Sequence, residues 1–485
     1  MKHPLLILLI AVAGACASPP PERQIIDDAA AALGGAQRVT AVKSIVIQGS
    51  GTNGNLGQDM TPDATGQTFT VSDYTRTVDV PGGRVRIEQT RTPNFTYFQG
   101  PQPQKQILGV DGDVAYNVAA NGTANRAGDA VANDRRAEFY HHPVTIVRAA
   151  LDPMAVLANP RTLGSERIVD ITIAGMRPFT LAIDATTHLP TRVVSMTDNL
   201  NLGDVAIETG FSDYQDANGL KLPTKMTTKT DKWTTATLAV SKQTVDADAS
   251  SAAAPEAARS AKPITGTPPA NVTVENLGKG LWFLAGQSHH SVLVEFADHL
   301  MLIEAPQNDT RALAVIAKAR ELVPGKPLTQ VVNTHHHFDH SGGIRAAVSE
   351  GLGVITHKAN AGFYEDAVKR THSIVPDALA GKAQPLKLET FDDELTLKDA
   401  AMTVNLYHIA GSAHADTLVM AYFPRERILV EADVYSPGGA IAPYAANLLE
   451  NVKKRNLRVD RIVPIHGAIA PFAELVKTAQ AQPAN

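Results

Sequence analysis

Thr334-His335-His336-His337-Phe338-Asp339-His340-Ser341-Gly342-Gly343 is the stretch on which the reading of this chain turns. Upstream, Leu328 to Asn333 includes Val331 and Val332 and reads as the end of a buried strand. Downstream, Ile344-Arg345-Ala346-Ala347-Val348 reads as the start of a helix. A strand-to-helix turn crowded with imidazole and carboxylate packs poorly. It suits a borderline divalent cation such as zinc, which accepts nitrogen and oxygen ligands. His335 and His337 are two apart, so in an extended segment they point the same way. Asp339 and His340 follow where the chain turns and can face a second, neighbouring point. One short loop can therefore seed two adjacent metal positions.

The motif His335-x-His337-x-Asp339-His340 resembles the metal-binding signature of the metallo-β-lactamase superfamily. Three later sites follow in the order of that family. His414 comes after a small-residue turn in Ala410-Gly411-Ser412-Ala413-His414-Ala415-Asp416. Asp433 ends the strand-like run Arg427-Ile428-Leu429-Val430-Glu431-Ala432-Asp433, and His466 ends Arg461-Ile462-Val463-Pro464-Ile465-His466. The resemblance covers residues 271–485. Two positions depart from the family's habit, Ala432 where Gly is common and Ala415 where Thr is common. They bear on the choice of subfamily and leave the ligand positions intact.

This resemblance implies an α/β fold, a four-layer αββα sandwich with the metal site at one edge between two sheets. It implies two Zn2+ ions per chain. His335, His337 and His414 would hold the first, Asp339, His340 and His466 the second, and Asp433 would bridge them. Two such ions share and activate one hydroxide, which attacks a carbonyl-type substrate. Asp339 is also the catalytic candidate, as the group that orients the nucleophile. The substrate is expected to be a small molecule: a lactam, lactone, ester, thioester or sulfate ester. An oxygen-reducing di-iron relative is disfavoured, because such members commonly carry Glu where His337 stands.

The other histidines are expected to pack rather than ligate. His336 lies between two candidate ligands and should point away from them. His408 lies on a strand and is expected to pack there. His289 and His290 precede a strand, with pocket lining by one of them as the less favoured alternative. His357 and His372 have no partners in sequence and are assigned no role. His141-His142 reads as a helix-cap or surface pair.

With 485 residues, the chain has room for two or three domains. Its net charge of -5 is small for this size, which speaks against a nucleic-acid footprint or a polybasic membrane patch. A single cysteine, Cys16, excludes an intramolecular disulfide. Before it come Lys2 and an apolar run over residues 5–13, too short to span a bilayer but fitting a signal-peptide core. Ala13-Gly14-Ala15-Cys16 resembles a bacterial lipoprotein cleavage box, although Leu is more usual where Ala13 stands. Ordinary signal cleavage after Ala17 is the alternative. Both readings predict export to the periplasm, and the first adds membrane attachment through a lipidated Cys16. Pro19-Pro20-Pro21 reads as a tether.

The expected domains are a signal peptide over residues 1–17, a β-rich domain over 22–245, a linker over 246–270 and the hydrolase domain over 271–485. Residues 22–33 show helical spacing of apolar side chains, stopped by Gly34-Gly35. From Ser44 onward, runs such as Arg84-Val85-Arg86-Ile87-Glu88 alternate between turns, the pattern of a mainly antiparallel sheet with one buried face. One helical interruption is expected near residues 143–156. This half resembles the curved half-barrel of periplasmic lipoprotein-carrier proteins, on its opening helix and the hairpin-like residues 213–223. A competing function is therefore a lipid-binding or scaffold lipoprotein whose metal domain is inert. The linker's Ala, Ser and Pro composition is expected to bury no core. All seven candidate ligands follow it, so the C-terminal part should hold metal without help. If Cys16 carries lipid, Cys16→Ala should move the protein from the membrane to the soluble fraction. Unchanged fractionation would favour cleavage after Ala17.

Overall fold

The computed structural model describes residues 19–63, 66–95, 102–437 and 444–481. The expected signal peptide and Cys16 lie outside the described residues. Among those described, no helix is long and apolar enough to cross a membrane.

The expected opening helix forms over Pro21–Leu33, with Pro at its first position and Gly34 ending it at φ 128°. Its buried face is Ile25, Ile26, Ala29, Ala30 and Leu33. A 13-stranded sheet follows. Its first six strands run outward in chain order from Ser44–Gly54 to the edge at Ala124–Arg126. Its last seven run from the other edge, Val156–Leu163, back to Trp233–Val245. The two series meet where Ser44–Gly54 pairs antiparallel with Trp233–Val245.

Two helices break the strands, Asp129–Phe139 and Pro143–Leu151. The second answers the expected interruption. The first escapes sequence reading because its charged run, with only Ala132 and Phe139 buried, lacks an apolar stripe. Pro143–Leu151 packs with the opening helix on the sheet's buried face, through Val144, Ile146 and Val147. His142 caps it, its Nδ1 accepting from the Val144 N–H at 3.3 Å. His141 is not at the surface. It bridges Thr209 Oγ1 at 2.9 Å and Ser195 Oγ at 2.8 Å. It also lines a cavity of about 420 Å³ between the sheet and helix Asp129–Phe139.

The segment expected as a bare linker is partly packed. Ala252, Ala254 and Ala258 are buried, the last two against Tyr116. Asp111 accepts from the Ala254 N–H at 3.0 Å and from Arg259 Nη2 at 3.1 Å. Alanine is small enough to lie flat on an aromatic ring, a contact that composition alone does not suggest.

The C-terminal part is a four-layer αββα sandwich. Its first sheet has seven strands in chain order, Thr273–Gly278 to Leu388–Phe391, antiparallel up to Leu300–Ile303 and parallel thereafter. Its second has six, Glu394–Lys398 to Ala470–Pro471. Val292, Val294, Met301, Ile303 and Val332 meet Val404, Leu406, Val419, Phe423 and Val430 between the sheets. Leu293, Leu302 and Val331 point the other way, toward helices Asp309–Leu322 and Ile344–Ser349. Helix Ala445–Lys454 covers the outer face of the second sheet through Leu448 and Val452. Strands apolar on both faces are what a layered α/β unit requires.

Burial, with Arg76 adding to it, pushes the His141 imidazole down to about 3 from its ordinary 6.5. Between those pH values the unfolded chain binds a proton at this site and the native chain does not. Stability should therefore fall as pH drops through this window, by up to about 1.4 kcal/mol per pH unit for this group. His141→Gln keeps hydrogen-bonding capacity and should show a shallower decline in urea midpoint between pH 6.5 and 4. Identical slopes would show that His141 is protonated without cost in the fold.

Candidate metal centre

The site forms where strand ends and their loops converge. Strand Leu328–Val332 delivers Asn333 and Thr334, then His335 to His337, and the short helix Phe338–Ser341 carries Asp339 and His340. Strand Ile428–Glu431 delivers Asp433, and Arg461–Pro464 delivers His466. Ile409, just past strand Thr403–His408, leads into the turn that carries His414. Ligands gathering beyond the carboxyl ends of strands is the general habit of α/β sheets.

The structure brings all seven expected residues together in two adjoining groups. The donor atoms of His335, His337, His414 and Asp433 lie within 4.8 Å of one another, and so do those of His289, Asp339, His340 and His466. Asp433 faces both groups. Its Oδ2 lies 3.0 Å from His414 Nε2 and 3.2 Å from His340 Nε2, and its Oδ1 lies 2.8 Å from His466 Nε2. His289, weighed from the sequence only as a less favoured pocket-lining residue, joins the second donor group. Its Nε2 lies 3.0 Å from Asp339 Oδ2. Nothing in the sequence marks it, because it precedes a strand some fifty positions from the motif and only the fold brings it in.

The ring orientations are set from outside the cluster. Thr334 Oγ1 sits 3.0 Å from His335 Nδ1, and Glu304 Oε2 accepts from His340 Nδ1 at 3.2 Å. The Ser288 carbonyl accepts from His466 Nδ1 at 2.8 Å, and the Asp59 carbonyl accepts from His337 Nε2 at 2.9 Å. In each ring the other nitrogen is left for the centre. His335 Nε2 and His337 Nδ1 are buried with no hydrogen-bond partner. A buried polar atom without a partner is costly, and a cation there would remove that cost. His336, by contrast, turns away as expected, with Nδ1 3.0 Å from Thr417 Oγ1.

At His335 and His337 the electrostatics agree with this fit. Burial, aided by neighbouring imidazoles, holds His335 and His337 well below the ordinary histidine value, so they are neutral, the form that ligates. Burial would lower His340 too, but Asp433 and Asp339 hold it well above its ordinary value. Burial would raise Asp433, yet His340, His466 and His414 hold it well below. Asp433 also sits at φ 62°, a left-handed conformation rare for aspartate. The following turn is tied back by Glu431 Oε2, which accepts from the Val434 and Tyr435 N–H groups at 3.2 Å each.

The N-terminal half reaches this centre. A cavity of about 330 Å³ opens beside it, with Asn55, Gln58, Gln67 and Phe95 facing Asp339, His414, Asp433 and His466. Gln58 Nε2 donates to Asp339 Oδ1 at 2.7 Å. The candidate ligands follow residue 271 as expected, but two of their supports, Gln58 and the Asp59 carbonyl, do not. Elsewhere the halves are joined by Arg370 to Asp231 at 2.8 Å, and by Asp204, which accepts from the Ser373 and Ile374 N–H groups.

Comparison with known proteins bears on the C-terminal part. No curated protein matches this chain. Among solved structures, the DIM-1 metallo-β-lactamase is 17% identical, covering 43% of this chain and 95% of its own, with a TM-score of 0.35. A metallo-β-lactamase from Pontibacter korlensis is 18% identical, covering 44% of this chain and all of its own, with the same TM-score of 0.35. FIM-1 from Pseudomonas aeruginosa, solved in a mono-zinc form, is 17% identical over 44% of this chain and 96% of its own, also at 0.35. Residues 285–466 match the family model of the metallo-β-lactamase superfamily. With its αββα layers and paired His/Asp groups, the C-terminal part of this chain is a domain of the metallo-β-lactamase fold.

Proposed function

We propose that this protein is an exported, zinc-dependent hydrolase of a small carbonyl-type substrate, a lactam, lactone, ester or thioester, or of the similar electrophile of a sulfate ester. The superfamily domain supports a metal-dependent hydrolase in general. The observation that carries the finer reading is the pair of adjoining donor groups with Asp433 facing both. His335, His337, His414 and Asp433 would hold one ion, and Asp339, His340 and His466, with His289 beside them, the second. Nitrogen and carboxylate donors without thiolate suit zinc. Bound zinc supplies a lowered water pKa and a polarised substrate oxygen.

The chain's own residues do the rest. Asp339 is held at both oxygens, by Gln58 and by His289. Each oxygen keeps a second lone pair, so the carboxylate can also accept a hydrogen bond from the attacking water. Its side chain is 35% exposed, on the cavity side of the cluster. A cavity of about 330 Å³ limits the substrate to a small molecule. Support for export is the apolar run over residues 5–13, and Cys16 supplies the lipid-anchored form of it. A second reading, a binding protein with an inert metal domain, draws on the cavity of about 420 Å³ in the N-terminal half.

A screen of the zinc-loaded full chain against β-lactams, lactones, thioesters and aryl sulfates should find one class hydrolysed. That activity should be lost on chelation and restored by zinc. A zinc-loaded chain inert toward every class would favour the binding reading. Asp433→Ala should lose bound zinc and more than about 100-fold in activity, beyond the loss typical of residues that only support a ligand. His336→Ala should keep its zinc and lose about 1–3 kcal/mol of stability, through the unpaired Thr417 hydroxyl and the vacated space. Equal zinc loss in both variants would mean that His336 also faces inward.

A further inference from the structure

Four of the hydrogen bonds that cross from the N-terminal half to the metal centre come from one short loop, and Asn201 Nδ2 adds another to Ser341 Oγ at 2.6 Å. Residues 55–60 follow the first strand of the large sheet. Gly57 O accepts from the Phe338 N–H at 3.0 Å, and Asp59 O accepts from His337 Nε2 at 2.9 Å. Gln58 Nε2 donates to Asp339 Oδ1 at 2.7 Å, and Met60 O accepts from the Asp416 N–H at 2.8 Å. Four successive residues thus bond residues 337, 338, 339 and 416. These belong to two different loops, one carrying His335 to His340 and the other His414.

The loop is itself built to hold this shape. Asp59 is buried, and its Oδ1 accepts from the Gln67 N–H at 3.0 Å. The Gln58 N–H donates to Asn55 O, and the Asn55 N–H to Gln67 O, both at 3.0 Å. Gly57 adopts φ 80°, and a β-carbon there would lie 2.3 Å from the Phe338 ring. Only glycine lets the backbone come this close. Leu56 and Phe338 pack together with Leu202, Val205 and Trp233 behind the loop.

We infer that residues 57–60 are a positioning element of the metal centre, supplied across the domain boundary. The inference rests on the reading of the centre as a zinc site. The Asp59 carbonyl fixes the proton of His337 on Nε2, so the Nδ1 lone pair faces the ion. Gln58 occupies one oxygen of Asp339 while His289 occupies the other, which fixes the carboxylate's plane. Met60 ties the His414 loop to the same backbone segment. Neither Gln58 nor Asp59 is a catalytic residue in this account. They act through His337 and Asp339, as outer partners of metal ligands generally do.

The test uses the full chain and zinc itself, read by competition with a chromophoric chelator, and Co2+ as a spectroscopic substitute. Gln58→Met keeps the side-chain length and removes the amide. It should weaken the looser zinc by about 10–100-fold, and alter the visible bands of the Co2+ form. The melting temperature of the metal-free chain should stay at the wild-type value. Gly57→Val pushes the loop off Phe338 and should weaken both ions. If Gly57→Val does not fold, Gln58→Met decides alone. Wild-type zinc affinity and Co2+ spectra in Gln58→Met would overturn the inference while leaving the zinc site standing. A wild-type chain that binds no zinc would overturn the zinc reading and this inference together.

Discussion

A carboxylate buried among imidazoles governs the C-terminal architecture. Asp433 is 5% exposed, yet three histidine nitrogens stand within 3.2 Å of its oxygens. In a poorly polarisable interior, such a group is tolerated only with positive charge beside it. Asp433 and Asp339 hold His340 well above its ordinary value, and a divalent cation among the same donors would meet the same need for positive charge. The strand ends, the left-handed turn at Asp433 and the outer acceptors all serve one arrangement, in which each ring aims one nitrogen inward.

The outer acceptors divide by origin. Glu304, Thr334 and Ser288 come from the sandwich itself, whereas the Asp59 carbonyl comes from the large antiparallel sheet. Loops of the same sheet contribute Asn55, Gln58, Gln67 and Phe95 to the wall of the pocket. Three amides and a ring are neutral, so that wall reads shape and hydrogen bonds rather than charge. A chain with one half for chemistry and another for binding would be simpler to describe. Here the same loop touches both the ligand residues and the space a substrate would fill.

Sequence reading recovered what is local and periodic. Val331 and Val332 announced a buried strand, the histidine spacing announced its metal turn, and Asp433 and His466 were found through the family resemblance, each where a strand-like run ends. The reading failed where the deciding contact is distant. His289 has no neighbour in sequence that hints at Asp339. The Asp59 carbonyl is a backbone group that no residue type can advertise, and it acts 278 positions away. Helix Asp129–Phe139 was hidden by its polarity, and the alanines near residue 254 by an expectation that small side chains bury nothing.

The seam of the large sheet has a consequence for the order of assembly. Strand Ser44–Gly54 pairs with Trp233–Val245, so the first strand made must wait for the last. Contacts of such separation close slowly, because the intervening chain must be confined before the pairing is rewarded. The loop at residues 57–60 leaves that first strand, but its partners at 337–339 are synthesised only after the whole sheet is complete. The centre is thus the latest part of the molecule to become whole, and it draws on the earliest. A growing chain carries exposed sheet edges and an unfinished donor set. Tight capture of an ion would then mark a chain whose beginning and end have found each other, a form of quality control written into connectivity rather than into any single residue.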